Sequence, residues 1–307
     1  MVTHTHANDL FADVTALRGI VDAVPNAVFV KDRNSRFLMV NETMCRLLGH
    51  SFDELVGHGD ADFVPAEQAA IFRNVDLAIL ETGEPNQNEE IITDGQGELR
   101  TIITRKQALD LADGTRLIVG CITDITEFRR AEQQIRYNAE HDHLTGLANR
   151  ALFQKRLRER ILQLEPGGAS IALLLIDLDG FKGVNDLNGH AAGDEVLIAT
   201  AQNLSDLAAP DDMVARLGGD EFAIIQCARD QPATALNLAR KVIDRLSEPI
   251  AVMGRHVEVS ASVGIAVIPE NPLGDDMLLR RADLALYGAK RGGRNTWRLF
   301  EPTMEEA

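Results

Sequence analysis

Met213-Val214-Ala215-Arg216-Leu217-Gly218-Gly219-Asp220-Glu221-Phe222-Ala223-Ile224-Ile225 is the stretch on which the reading of this chain turns. Two β-type runs flank a Gly-Gly pair, which predicts a hairpin whose tight turn needs positive φ. Two carboxylates, Asp220 and Glu221, follow at the head of the second strand. Glycines let backbone approach a bulky ligand, and adjacent acids hold hard cations through oxygen. Taken alone, the same letters describe an ordinary hairpin with solvated acids. The segment upstream changes that balance.

There, the apolar run Ser170-Ile171-Ala172-Leu173-Leu174-Leu175-Ile176 ends in Asp177-Leu178-Asp179-Gly180-Phe181-Lys182. A continuous apolar run closing in acids predicts a buried central strand whose carboxyl end emerges at a site. If that strand neighbours the hairpin, Asp177 lies beside Asp220. Two carboxylates and a free backbone carbonyl then make a cradle for Mg²⁺, which completes its octahedron with phosphate oxygens and water. Asp179 is expected to cap the helix beginning near Phe181. Asp177 is one residue too deep for that role.

Gly218 to Phe222 matches the signature of the GGDEF family, the diguanylate cyclases, and the flanking blocks resemble that family in order. They are Asp142-His143-Leu144-Thr145-Gly146-Leu147-Ala148-Asn149-Arg150, Asp177 to Lys182, Asn185-Asp186 with Gly189-His190 and Gly193-Asp194-Glu195, then Arg281-Ala282-Asp283 with Tyr287-Gly288-Ala289-Lys290, and Gly293-Arg294-Asn295. A five-letter match alone is weak; ordered blocks across the C-terminal half are specific.

The resemblance implies a role for each matched position. Asp177, Asp220 and the Leu178 carbonyl would hold two divalent ions per active site, Mg²⁺ with Mn²⁺ able to substitute. Glu221 would serve as a metal-site or proton-accepting group. The amides of Gly180, Phe181 and Lys182 would face the terminal phosphates at a strand-to-helix turn. Lys290 and Arg294 would project onto the triphosphate, or else form a solvated basic helix end beside its negative pole. Asn185 and Asp194 would read guanine: a carboxylate accepts from the N1–H and exocyclic amine, which adenine lacks. A buried pocket leaving Asp194 unpaired would reject the wrong base. His190 would shape that loop rather than perform acid–base work. The implied reaction joins two GTP into cyclic di-GMP across a dimer.

One departure stands out. Many relatives carry Arg-x-x-Asp before the signature as a product-inhibition motif, and here the aligned residues are Ala209-Pro210-Asp211-Asp212. Asp212 is present, but the Arg is replaced by Ala209. Without a guanidinium to hold the product, feedback at that site is expected to be weak or absent.

Composition fits two soluble domains. The chain has 307 residues, 45% of them hydrophobic and 25% charged, enough for two cores of ordinary size. A net charge of −16 argues against nucleic acid or an anionic membrane surface as partner. No apolar stretch approaches a membrane span and no secretion pattern opens the chain, so no membrane insertion and a cytoplasmic location are expected. Cys45, Cys121 and Cys227 lack the clustered spacing of a disulfide framework or zinc site.

The N-terminal half reads differently. After a lead helix from about Asn8 to Ala23 come strand-like runs Ala27–Asp32 and Phe37–Asn41, joined by an Arg33-Asn34-Ser35 turn. Helical stretches follow at Glu42–Leu48 and Pro65–Glu81, then strand-like runs Asn88–Thr93, Leu99–Leu109 and Arg116–Thr123. This order resembles a PAS domain, closing in Gly120 to Glu127. His50 and His58 read as loop or helix-end histidines rather than haem ligands, and His4 and His6 as part of a mobile terminus. The PAS ligand is left unknown.

Between the halves, Asp124–Glu140 lacks Pro and Gly and predicts a continuous helix. Its stripes Ile125/Phe128/Glu132/Ile135/Ala139 and Phe128/Ala131/Ile135/Asn138 are each interrupted. They fit either a helix docked on its own domains or a short parallel coiled coil with two registers.

The expected organisation is therefore a lead segment at 1–19, a PAS sensory and dimerisation domain at 20–126, a signalling helix at 127–140 and a GGDEF domain at 141–303. The expected fold class is α/β (α+β), with a mainly antiparallel sheet like the palm of nucleotide cyclases and polymerases in the C-terminal domain. The expected function is a PAS-regulated diguanylate cyclase acting as a homodimer through PAS and linker helix. The alternatives are a non-catalytic GTP or cyclic di-GMP receptor and a PAS-driven interaction module.

Overall fold

The computed structural model describes residues 14–165, 168–252, 254–268 and 274–305. The chain divides after Gln133 into two compact units, each with its own sheet and core. In the first, α1 (Val14–Asp22) precedes β1 (Ala27–Lys31), β2 (Phe37–Val40), α2 (Glu42–Leu48), α3 (Phe52–Leu55), α4 (Ala66–Thr82), β3 (Asn86–Thr93), β4 (Leu99–Asp110) and β5 (Arg116–Asp124). These strands form one antiparallel sheet in the order β2-β1-β5-β4-β3. The strand pair, small helices and three closing strands read from the sequence are all present. The start of the lead helix, Asn8 to Asp13, and His4 and His6 lie outside the described residues.

Alternation builds this core. Along β1, Ala27, Phe29 and Lys31 point inward, with Phe37, Leu55, Ile79, Ile102 and Ile118 closing around them. Asn41 locks the turn into α2, its Oδ1 accepting from Met44 N at 3.0 Å and Val28 N at 2.9 Å. His50 and His58 are exposed, and both rings lie against Phe63.

Two inward lysines demand counter-charge. Lys31 is 1% exposed and Lys106 4%, and both converge on Asp76 of α4, itself fully enclosed. Asp76 accepts from Lys106 Nζ at 2.6 Å and from Lys31 Nζ at 3.3 Å, and Lys31 also pairs with Asp60. The ammonium groups lie over Phe29, Phe37 and Phe72. Burial works against ionisation of Asp76, but Lys31 and Lys106 outweigh it and hold the carboxyl below its usual range.

This network should make the first unit acid-sensitive. Replacing Asp76 by Ala leaves the buried Lys106 without a counter-charge and Lys31 with Asp60 alone, and should cost about 3–5 kcal/mol. Because the folded-state pKa is depressed, the stabilisation is complete above the unfolded value of about 3.9. It is lost as pH falls through the lower folded value. Thermal unfolding of wild type and Asp76→Ala should therefore show a wide gap at neutral pH that closes toward strong acid.

The second unit begins within α5 (Thr126–Glu140), which runs unbroken as its lack of Gly and Pro predicts. Then come α6 (Arg150–Leu162), β6 (Ser170–Asp179), α7 (Phe181–Asn188), α8 (His190–Leu207), β7 (Met213–Gly218), β8 (Glu221–Ala228), α9 (Ala233–Leu246), β9 (Ile250–Val252), β10 (Arg255–Val257), β11 (Ser260–Val267), α10 (Asp275–Arg291) and β12 (Thr296–Leu299). The main sheet runs β12-β11-β6-β8-β7, antiparallel except for the β11–β12 pair. The expected α/β class and mainly antiparallel sheet are both found.

Details differ from the sequence reading. The β9–β10 hairpin and β12 were not anticipated, and Glu258 and Val259 separate β10 from β11. Helix α6 starts at Arg150 because Asn149 caps it, accepting from Leu152 N at 3.0 Å. Helix α8 starts at His190.

Strand β6 is buried on both faces. Its even residues, Ala172, Leu174, Ile176 and Leu178, join a core with α7, α8 and α9. Its odd residues, Ile171, Leu173 and Leu175, meet α6 and α10. Asp177 and Asp179 continue that odd phase, so they emerge on the α10 side. Helix α10 lies directly on β11 at Gly264, where a β-carbon would overlap the Ala282 carbonyl and Leu286 amide. Ala282, Leu286 and Lys290 follow at four-residue steps, so that close approach carries Lys290 toward the acids.

Candidate active site

The Gly-Gly pair forms the predicted turn, with φ of 141° at Gly218 and 56° at Gly219. Strand β8 then starts at Glu221 and pairs antiparallel with β6, placing Glu221 opposite Asp177. Leu178 N donates to Asp220 O at 3.2 Å, which ties the signature turn to the end of β6. Asp177, Asp220 and Glu221 thus gather at one end of the sheet from two neighbouring strands, as the upstream run had predicted.

Their environments differ. Asp177 is 9% exposed and receives Lys290 Nζ at 2.7 Å. Burial pushes its carboxyl above the usual range, opposed by Lys290 and reinforced by the negative charges of Asp220 and Asp179. Glu221 is exposed and meets Arg150 Nη2 at 3.3 Å. Lys290, expected against phosphate, stands against Asp177 instead.

Asp179 does not cap the helix as expected. The N-cap of α7 is Gly180, and the Asp179 carboxylate turns across to β11 and the turn after α10. Ser260 and Ser262 lie on the same face of the neighbouring strand, so tertiary donors captured a side chain that local preference assigned to the helix.

The remaining predicted residues fall into two groups. Phe181 and Lys182 open α7 behind Gly180, in the first turn, where amides have no intrahelical acceptor. Asn185 on α7 faces the first turn of α8, close enough that a β-carbon at Gly193 would overlap its Oδ1. His190 and Asp194 share that corner on α8, but both are exposed, so the enclosed pocket imagined around Asp194 is absent here. Arg294 is exposed in the turn beyond α10 and lies 3.8 Å from Asp179 through Nε.

The donor set suits a hard cation. Asp177, Asp220, Glu221 and the Leu178 carbonyl offer oxygen only, and the unfavourable burial of Asp177 is a deficit that added positive charge would relieve. Among the described residues no three His, Cys, Asp or Glu side chains form a ready metal cage. Magnesium held by one or two carboxylates and substrate phosphates needs no such cage.

Sequence reasoning passed over Arg216. Its Nε and Nη2 donate to Gly219 O at 3.1 and 2.8 Å, while Nη1 reaches both oxygens of Asp142 at 3.0 and 3.1 Å. Burial disfavours the Asp142 charge, but the Thr145 hydroxyl and amide and the Arg216 guanidinium outweigh it and hold the carboxyl below its usual range. The signal available was the Arg two residues before the glycines and the Asp that opens the earlier block. Nothing local linked them.

Comparison with known proteins agrees with this geometry. The family model described as "Diguanylate cyclase, GGDEF domain" matches residues 139–296, just over half the chain, and "PAS fold" matches residues 21–130. The chain belongs to the GGDEF family, with a PAS unit ahead of the GGDEF domain. An uncharacterized signaling protein of Caulobacter vibrioides is 36% identical over 286 residues, 89% of this chain and 33% of its own length. The diguanylate cyclase TpbB of Pseudomonas aeruginosa is 42% identical over 166 residues, 54% of this chain and 38% of its own. The chain thus spans between 33% and 38% of the length of these curated relatives. A solved structure of the coiled coil and GGDEF domain of DgcB from Caulobacter crescentus, in complex with c-di-GMP, has a TM-score of 0.53 at 33% identity, covering 57% of this chain and 92% of that one.

The Arg216 bridge yields a stability prediction. Arg216→Ala should cost about 1.5–3 kcal/mol, the range for hydrogen bonds to charged groups. Asp142→Ala in that background should cost less than in wild type, because only its bonds from Thr145 remain to be lost. Denaturant titration of both single variants and the double variant measures the coupling.

Proposed function

We propose that this chain is a diguanylate cyclase that condenses two GTP into cyclic di-GMP with release of pyrophosphate. The observation that carries the reading is the convergence of Asp177, Asp220 and Glu221 beside a glycine turn in a chain of the GGDEF family. In each half-reaction a ribose 3′-hydroxyl attacks the α-phosphate of the other GTP, and pyrophosphate leaves from it. Two such bonds close the ring.

The chain's residues divide the work. Asp177, Asp220, Glu221 and the Leu178 carbonyl would hold two Mg²⁺ ions, for which Mn²⁺ could substitute. When bound, such ions would polarise the phosphate and neutralise developing charge. Glu221, which is exposed, would take the hydroxyl proton. The first-turn amides after Gly180, with Lys182, Lys290 and Arg294, receive the phosphates. Asn185 and Asp194 read guanine from adjoining helices, and His190 shapes their corner. Lys290, which pairs with Asp177 at 2.7 Å, would be free to meet phosphate were a cation held at that carboxylate.

One domain holds one nucleotide, so catalysis requires two copies facing each other. Phe128 and Ile135 on α5 are 67% and 69% exposed and lie seven residues apart, which supports pairing of α5 between copies. On this reading the PAS unit regulates the activity of the paired GGDEF domains. No helix among the described residues is long and apolar enough to cross a membrane.

Incubation with GTP and Mg²⁺ followed by nucleotide chromatography should reveal cyclic di-GMP. Asp177→Ala and Glu221→Ala should each lower the rate by about 10²–10³-fold or more with the fold retained. Folded wild-type protein that leaves GTP intact would overturn the reading.

Product feedback through Ala209–Asp212 should be weak. Asp212 accepts from Ala209 N at 3.0 Å and from Gln226 Nε2 at 3.3 Å, so its carboxylate is engaged by its own turn and by β8. Submicromolar cyclic di-GMP should leave the initial rate unchanged. Inhibition in that range that vanishes in Asp212→Ala would contradict this expectation.

A further inference from the structure

The two acids of Asp177-Leu178-Asp179 share a strand face about 6.8 Å apart, yet they are bound in opposite ways. Asp177 meets one ammonium group. Asp179 is saturated: Oδ1 accepts from Ser262 Oγ at 2.8 Å, and Oδ2 accepts from Ser260 Oγ at 3.1 Å and from the backbone N–H of Asn295 at 3.0 Å. Arg294 Nε stands 3.8 Å from Oδ1, and the Asp179 side chain is 6% exposed. A carboxylate so engaged has little left to offer a metal.

The segment it holds is strained. Arg294 and Asn295 both adopt positive φ, 61° and 45°, although neither is glycine. Consecutive residues of this kind persist only where surrounding contacts over-determine them. Three contacts do so here. Asn295 N–H is fixed by Asp179, Asn295 Oδ1 accepts from Ser247 Oγ at 3.0 Å, and Arg294 N donates to Ala289 O at 3.3 Å. Beyond the turn, β12 enters the sheet beside β11, with Thr296 opposite Ser262.

We propose that Asp179 is a positioning residue: it anchors the turn that carries Arg294 and so sets affinity for the triphosphate of the nucleotide, without binding metal. The proposal rests on the cyclase reading and adds to it a division of labour within one motif. Asp177 faces the cations. Asp179 fixes the guanidinium that faces the phosphates.

The test uses full-length wild type, Asp179→Asn, Arg294→Ala, the double variant and Asp177→Asn. Asp179→Asn should raise KM for GTP about tenfold, the factor expected on losing one charge-assisted hydrogen bond. Its kcat and the Mg²⁺ concentration for half-maximal rate should stay near wild type, whereas Asp177→Asn should alter both. In the Arg294→Ala background, Asp179→Asn should change KM little further. Hydrogen exchange of the peptide containing Asn295 should quicken in Asp179→Asn. An unchanged KM, a shifted Mg²⁺ requirement, or a full additional KM increase in the double variant would overturn the anchor. Wild type that neither binds nor turns over GTP would instead overturn the cyclase reading.

Discussion

A carboxylate at the end of a strand buried on both faces must be answered by a cation or by hydrogen-bond donors, and this requirement organises the C-terminal unit. Strand β6 places Asp177 and Asp179 on the face that also carries Leu173 and Leu175. The answering groups must come from whatever packs there. Helix α10 sits close because Gly264 presents no side chain, and it delivers Lys290. Strand β11 delivers two serines, and the turn after α10 delivers a backbone amide. The site is thus the polar edge of a core face, and its geometry follows from that core.

The same rule governs the first unit with the signs exchanged. Lys31 falls at an inward position of β1, and Lys106 is likewise enclosed, so the core must supply negative charge, which Asp76 and Asp60 provide. Replacing such a network by apolar groups is often neutral or stabilising, so its presence is weak evidence for stability. Its physical effect is to make the charges interdependent: removing Asp76 leaves Lys106 unpaired in a low-dielectric interior.

What was legible in the sequence follows from the range of the signal. The run from Ser170 to Ile176 and the alternating runs of the first unit have strong period or composition, and their strands appear where expected. The hairpin was legible because Gly-Gly leaves few turn geometries open. The motif blocks nominated the candidate site residues, and the fold brings Asp177, Asp220 and Glu221 together. Asp179 was misread because N-cap preference is local, whereas its partners Ser260 and Asn295 lie 81 and 116 residues away. Arg216 escaped notice for the same reason, since Asp142 is 74 residues distant. Strand β12 is only Thr296–Leu299, too short for periodicity to register, and its place comes from pairing with β11.

The charge balance constrains how a polyphosphate could enter. The chain carries 47 acidic and 31 basic residues, and the acids at the site add a local negative field. A bare triphosphate approaching Asp177, Asp220 and Glu221 would meet like charge at short range, where screening is weakest. The cations nearest those acids are already engaged, Lys290 with Asp177 and Arg150 with Glu221. Freeing Lys290 for phosphate requires a replacement positive charge at Asp177. On the proposed reading a divalent ion held at Asp177 would supply that charge, and would link metal and phosphate binding through a single side chain. Asp179, whose acceptors are filled by the protein itself, stands outside that exchange. The rearrangement can then occur at Lys290 while the turn bearing Arg294 stays in place.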